Sequence, residues 1–372
     1  MGGAGPGRSG RRTRGPAKAP YGGLNRVRFE GSVSTGVPVP PLRGVLHHVA
    51  PGPANNAFPD PAHSFPMVAT ATAPAGVGNI GVGFDLLGHS IAGLRDRATV
   101  RRIEAPEVRV LAVRGTVDVS IIPFDTERNT AGRALVALRE GLALPHGFEI
   151  ELDKGIPIGA GLGGSAASCV AALVAANALL DAPLTREALY PFAMEGEYAS
   201  SRSHQGDNVG PMLIGGVVLA TSTRLLPLPA PDWLHAVVVH PDQVLETRRS
   251  REALVEPFPL TTVVAHGARL AQFLLGLERG DAGLIRDGLQ DVLVEPRRAP
   301  LVPGFAAVKA AALDHRALGA SLSGAGPSVF AWFASEADAR AAAPAMQRAF
   351  ADAGFDSRAY VSPVNGPRAE VD

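Results

Sequence analysis

Three glycine-rich segments hold the residue types and spacings from which chemistry can be assembled in this chain. The first, IPIGAGLGGSAAS (Ile156–Ser168), runs a glycine loop directly into an Ala-rich stretch. Glycines let backbone N–H groups approach phosphate oxygens closely, and a helix N-terminus adds about half a positive charge. Ser165 stands where that helix starts, placed to cap it or to offer a hydroxyl to a metal or a phosphate. The second, PAGVGNIGVGFDLLG (Pro74–Gly88), sets Asn79 and Asp85 on an irregular loop, two short polar side chains able to converge on a hydroxyl. The third, GASLSGAGPSVFAW (Gly319–Trp332), places Ser321, Ser323, Gly324 and Gly326 ahead of a strand-like run. Each alone reads equally as a turn whose glycines serve only tight packing. Together, with neither a metal-ligand cluster nor a nucleophile–His–Asp pattern beside them, they favour a site of backbone amides around a phosphorylated ligand.

The first loop also contains G-x-G-x-x-G at Gly159, Gly161 and Gly164, with Asp181 20 residues beyond Gly161. A dinucleotide fold needs a strand feeding the first glycine, whereas LDKGIPI puts Lys154, Gly155 and Pro157 there. Asp181 follows the helical stretch at once instead of ending a second strand. No Gly-Lys-Ser/Thr follows, which excludes a P-loop.

The elements that must carry these loops are legible in outline. VATATAPA, ATVRRIEA, EVRVLAVRG and FEIELDKG are predicted strands, and Thr130–Leu142 a surface helix from its apolar spacing. Ser165–Leu180 is apolar on nearly every side, the pattern of a helix inside a protein or a membrane. Pro157 and five glycines interrupt the uncharged run before it, and its 16 residues would span only about 24 Å, so a buried core helix is expected and no membrane. Further on, VVLAT, HAVVVHP, SVFAWFA and SRAYVSP read as strands, with helices around Leu260–Leu277, Ala306–Leu313 and Glu336–Ala353. LLPLPAPDW reads as a Pro-rich turn, with a domain boundary at residue 226. This alternation without nucleotide-fold spacing predicts an α+β class.

At 372 residues, two or three domains are expected. The single cysteine, Cys169, excludes an internal disulfide framework and Cys-rich metal clusters, which fits a reducing, cytoplasmic setting. The zero net charge conceals an asymmetry, because residues 1–66 carry +6 and residues 67–372 carry −6. The body therefore offers no polyanion-binding surface, and no nucleic-acid partner is expected for it. Residues 1–66 hold 12 Gly and 11 Pro and are expected to be a disordered Gly/Pro/Arg-rich extension, with Met67 as the biological start. Its basic cluster, Arg8 to Lys18, leaves nucleic-acid contact or an organelle transit peptide as alternatives; no apolar stretch of signal-peptide length follows it. No oligomeric interface is legible, so a homodimer stays open.

At the three loops the chain resembles the GHMP small-molecule kinases, and among them the branch that phosphorylates homoserine. The central loop is similar to that family's ATP motif, P-x-x-x-G-L-G-S-S-A-A, with Gly164 in place of the first serine. NIGVGFDLLG (79–88), GDNVGPMLIGG (206–216), VEPRRAPLVPGF (294–305) and SLSGAGPSVFA (321–331) resemble four further stretches in the expected order. The resemblance implies a ribosomal S5 domain 2-like N-terminal domain over 67–226 and a ferredoxin-like C-terminal domain over 227–372. ATP would lie along Pro157, Ile158, Gly159, Ala160, Gly161, Leu162, Gly163, Gly164, Ser165, Ala166, Ala167 and Ser168, with Gly324 and Gly326 facing it. Mg²⁺ would be held by Ser165 and Glu197. The small-molecule substrate, L-homoserine, would meet Asn79 and Asp85 at its hydroxyl and amino end, and Arg251 and Arg298 at its carboxylate. Asp85 and Asn208 would aim the reacting hydroxyl. The family's histidine position falls on Gln205 here, with His204 one residue early. Either His204 shifts into place or Gln205 substitutes for it. Within the family, a kinase for another small alcohol, such as mevalonate or a sugar, is the runner-up; outside it, an NAD-binding oxidoreductase is the less favoured alternative.

Overall fold

The computed structural model describes residues 1–2 and 67–372; the expectations about the extension lie outside these residues. The first sheet is built on a long hairpin. β1 (Val68–Gly78) pairs antiparallel with β2 (Leu87–Ile103), and the register slips between Pro74 and Ala75, where the ladder steps from Arg95 to Ile91. β4 (Gly147–Lys154) joins the other edge of β2, and β3 (Val108–Gly115) lies parallel to β4. β5 (Val217–Ala220) pairs with the start of β2 and with β6 (Leu225–Leu228). The chain end returns as β11 (Glu370–Val371) beside β1, completing seven strands. Against this sheet pack α1 (Thr130–Gly141), α2 (Gly164–Asn177) and α4 (Val209–Ile214), and α3 (Tyr190–Ser201) lies on those helices.

The apolar run predicted as a core helix is α2. Every residue from Ala166 to Ala176 is buried, so its small side chains let sheet and helices approach on all sides. α1 begins where Asn129 accepts hydrogen bonds from the N–H groups of Ala131 and Gly132, a side-chain N-cap.

The second sheet has the order β10-β7-β9-β8, from β7 (His235–Pro241), β8 (Gly319–Leu322), β9 (Val329–Phe333) and β10 (Ser357–Pro363). All its pairings are antiparallel, and α9 (Phe305–Asp314) and α10 (Glu336–Asp352) cover one face, the ferredoxin-like arrangement. Strand alternation explains the uninterrupted VFAWF of β9. Val329, Ala331 and Phe333 face α9 and α10, while Phe330 and Trp332 enter the core shared with the first sheet. Trp332 Nε1 donates to His89 Nε2 of β2 at 3.2 Å, and burial lowers the His89 pKa to about 4, keeping that acceptor neutral.

Between β7 and β8 run α5 (Thr247–Glu252), α6 (Leu260–Arg279), α7 (Ala282–Gly288) and the short α8 (Glu295–Arg298). Among the described residues α6 is the one helix long and apolar enough to cross a membrane; it packs on α7 through Phe273, Gly276 and Leu277. Two sequence expectations are adjusted. The Pro-rich LLPL is an edge strand, tolerated because β6 pairs on one side only and Pro227 has no ladder bond to supply on the other. It straddles residue 226, so the first sheet runs to Leu228. β2 also begins 11 residues before the predicted ATVRRIEA, because Gly88, Gly93 and the register slip break its alternation.

Candidate active site

Residues Ile156–Gly163 leave β4 and enter α2 with Gly159, Gly161 and Gly163 at φ of 68°, 72° and 68°. That left-handed backbone disfavours any residue with a Cβ. At Gly161 space forbids one too: a Cβ would lie 2.3 Å from Ser323 O and 2.6 Å from Gly326 O. The 323–328 turn buttresses this loop. Ser323 Oγ donates to Gly161 O at 2.7 Å and Ser328 N to Ala160 O at 3.3 Å, while Gly324 N ties the same turn to the end of β1 at Gly78 O, 3.1 Å away. α2 starts without a side-chain cap, so its first-turn N–H groups are left for whatever occupies the cavity in front.

That cavity, of about 490 Å³, carries charge at its other end. Arg251 of α5 grips Asp85 with both terminal nitrogens, each 3.2 Å from a carboxylate oxygen. Gln205 Nε2 donates to Asp85 Oδ2 at 2.8 Å and its Oε1 accepts from Arg251, so the amide bridges the pair. Arg298 is 2% exposed; its Nε donates to Ser250 O and its Nη1 to Gly324 O, both at 3.1 Å. Burial, with Arg251 nearby, lowers its pKa to about 10, still a cation at neutral pH. The Phe84 ring lies 5.0 Å from the Arg298 guanidinium and 5.8 Å from that of Arg251. Asn79, at φ 70°, accepts from Asp85 N at 2.9 Å through Oδ1 and donates to Gly324 O at 2.8 Å through Nδ2.

Between the two ends stand Asp207, Asn208 and Glu197. Asp207 accepts from Asn79 N at 3.2 Å and from Asn208 Nδ2 at 3.3 Å. Asn208 Oδ1 is buried without a hydrogen-bond partner, and a Cβ on Gly163 would come within 2.8 Å of it. An acceptor thus waits where the glycine loop meets the charged end. Glu197, buried on α3, accepts from Ser165 Oγ at 3.3 Å. Burial pushes its carboxyl up to about 7; Asp207 is likewise pushed up to about 7, by burial first and by the charges of Asp85 and Glu197 after it.

One cavity is therefore lined by Asn79, Asp85, Pro157 through Ser165, Ser168, Glu197, Gln205, Asn208, Arg251, Arg298 and Gly324. Ala166 and Ala167 are set apart: the helix turns them into the apolar core. Gly326 also does not line it, packing behind Gly161. Gln205, not His204, faces Asp85. His204 Nε2 lies 3.1 Å from Glu195 Oε1 and its ring stacks on Tyr198 at 4.7 Å. Sequence reasoning passed over Lys154, Asp96, Asp207 and Phe84, and the apolar wall of Ile121, Ile122, Pro123 and Val244. Asp207 and Phe84 adjoin residues it had chosen; no local pattern marks the others.

The profile described as "GHMP kinases N terminal domain" matches residues 129–216, and that described as "GHMP kinases C terminal" matches residues 273–352. A homoserine kinase of Xanthomonas campestris pv. campestris is 57% identical over 321 residues, covering 85% of this chain and 99% of the relative. The crystal structure of homoserine kinase from Cytophaga hutchinsonii superposes with a TM-score of 0.80 at 38% identity, covering 86% of this chain and 100% of the other. L. major mevalonate kinase, solved in complex with R-mevalonate, shares the fold at 16% identity and a TM-score of 0.59, covering 83% and 99%.

Proposed function

The chain belongs to the GHMP kinase family, in its homoserine kinase branch, and on that footing we propose that it transfers the γ-phosphoryl group of ATP to the side-chain hydroxyl of L-homoserine. The observation that carries this reading is the two-ended cavity: bare backbone amides at one end, an Asp–Arg pair with a buried arginine at the other, and an unpartnered acceptor between them.

Phosphoryl transfer passes through a loose transition state, so positioning and charge neutralisation supply most of the rate. No activated nucleophile is needed. In this reading the Gly159–Ser165 amides and the start of α2 hold the β- and γ-phosphates, and Ile121, Ile122, Pro123 and Val244 wall the base. Arg298 takes the carboxylate of the amino acid. Asp85, loosened from Arg251, takes its ammonium, and Arg251 turns to the same carboxylate as Arg298; a guanidinium suits that partner because its planar fork matches two oxygens. Asn208 Oδ1 accepts the hydrogen bond of the reacting hydroxyl and aims its oxygen at the phosphate. Asn79 keeps Asp85 in place through the 2.9 Å contact to its N–H.

The oxygen-only donors Ser165 and Glu197, in contact and on the cavity wall, fit Mg²⁺, which takes one or two protein oxygens and completes its shell with phosphates and water. When bound, Mg²⁺ would neutralise charge on the β- and γ-phosphates. We place the reaction in the cytoplasm, where both substrates are small solutes. A coupled ADP-release assay with homoserine, mevalonate, galactose and threonine side by side tests the assignment. Homoserine should give the highest kcat/KM; preference for mevalonate or galactose would overturn it.

A further inference from the structure

The glycine loop has one unexplained support. Lys154 ends β4 with its side chain 3% exposed, and Asp96 of β2 is fully buried beside it. The two form an ion pair under the loop, and their remaining bonds point to the loop's two ends. Asp96 Oδ1 accepts from the N–H groups of Gly155 at 3.0 Å and Ile156 at 3.1 Å, where the chain enters. Lys154 Nζ donates to Gly164 O at 2.6 Å and Ser168 Oγ at 2.7 Å, where the chain leaves into α2. Ser168 Oγ closes the ring by donating to Asp96 Oδ2 at 2.9 Å.

We propose that the Lys154–Asp96 pair, with Ser168, is a positioning device that fastens the entry and exit of the 156–163 loop to one buried point and so fixes where the nucleotide's phosphates sit. This rests on the reading of that loop as the triphosphate seat. The physical case has three parts. A loop with three left-handed glycines gives up more chain entropy on ordering than one of its length without them, so fixing from outside helps to hold it. A buried ion pair is a poor way to gain stability, because apolar residues of the same volume usually serve as well. Here, however, the pair's other hydrogen bonds go to backbone at both loop ends and to the first two turns of α2, which an apolar pair cannot hold.

The test uses the full chain and equilibrium binding of ATP by calorimetry, which needs no phosphate acceptor, so its result stands apart from the homoserine assignment. Asp96→Leu/Lys154→Met removes both charges at similar volume. It should keep its unfolding midpoint within a few degrees while weakening ATP binding about tenfold or more, with the KM for homoserine changed less than about twofold. Lys154→Arg, which keeps a cation and several donors, should recover part of the loss. A folded double variant with parental ATP affinity overturns the proposal, as does a loss shared equally by both substrates. Should the double variant not fold, Ser168→Ala decides. Faster hydrogen exchange at the amides of 155–164 with ATP affinity down about threefold supports the device; unchanged exchange and affinity refute it.

Discussion

At the Ile156–Gly163 end of the cavity the protein presents backbone, and at the Asp85–Arg298 end it presents charged side chains. The first is one continuous segment whose shape follows from glycines at three alternate positions. The second is gathered from four stretches of chain, around residues 79–85, 205–208, 251 and 298, and is held by mutual hydrogen bonds. A backbone cradle suits a ligand part common to many reactions, since triphosphate oxygens need donors and little else. Side-chain charges suit the part that must be discriminated, since a buried unmatched charge costs more than a matched one gains.

The contrast can be broken most severely at Gly161. Gly161→Ala forces a Cβ into Ser323 O and Gly326 O and should lower kcat/KM for ATP by about 100-fold or more. Parental ATP kinetics in that variant would remove the loop from the site. At the charged end, Arg298→Ala should raise the KM for homoserine about 10- to 100-fold and leave the KM for ATP nearly unchanged. An unaltered homoserine KM takes Arg298 out of the substrate end.

Glu197 joins the two regions, and its titration gives a sharper test. With its carboxyl near pH 7, protons compete with Mg²⁺ below that value. The half-saturating Mg²⁺ concentration should therefore rise as pH falls from 8 to 6, by up to about tenfold per unit. Glu197→Gln should show a flat profile; superimposable metal titrations for the two proteins would contradict the assignment. Asp207 makes a stability prediction of defined sign. Its folded pKa, about 7, lies above the ordinary 3.8, so between these values the folded state binds more protons than the unfolded one. Its contribution is fully present below pH 4 and is lost as pH rises through 7. Urea midpoints should fall from pH 5 to 8 in the parent and fall less in Asp207→Asn. The smallest effect is expected at His204, which faces Glu195 and Tyr198: His204→Ala should change both KM values less than about twofold. A tenfold change would mean that the loop moves His204 into the site.

Local pattern revealed the cradle well. Gly159, Gly161 and Gly163 announce a backbone that only glycine adopts easily, and the apolar run after them announces a buried helix. The second sheet was legible for the same reason, because HAVVVHP and SRAYVSP carry their strand signal within themselves. The start of β2 was not, since it depends on distant β5 to override glycine; nor was the edge strand β6, whose proline hides a strand that shows only in its hairpin pairing with β5. The site divides along the same line. Asn79, Asp85, Asn208 and Arg298, singled out from motifs, line the cavity, yet nothing near Arg251 says that Asp85 occupies its fork, and Gln205 against His204 was undecidable from spacing alone.

What the sequence determined by itself is the set of short-range commitments: a glycine loop ahead of an apolar helix, an α+β alternation of strands and helices, and a single cysteine that excludes an internal disulfide framework. These follow from backbone sterics and side-chain volume, which each residue carries with it. Only the tertiary structure decided which charges face one another across the cavity, which oxygen stays unpartnered, and that a lysine and an aspartate 58 residues apart fasten the loop from beneath. Electrostatic energies depend on distance and burial, and neither exists until the chain has folded.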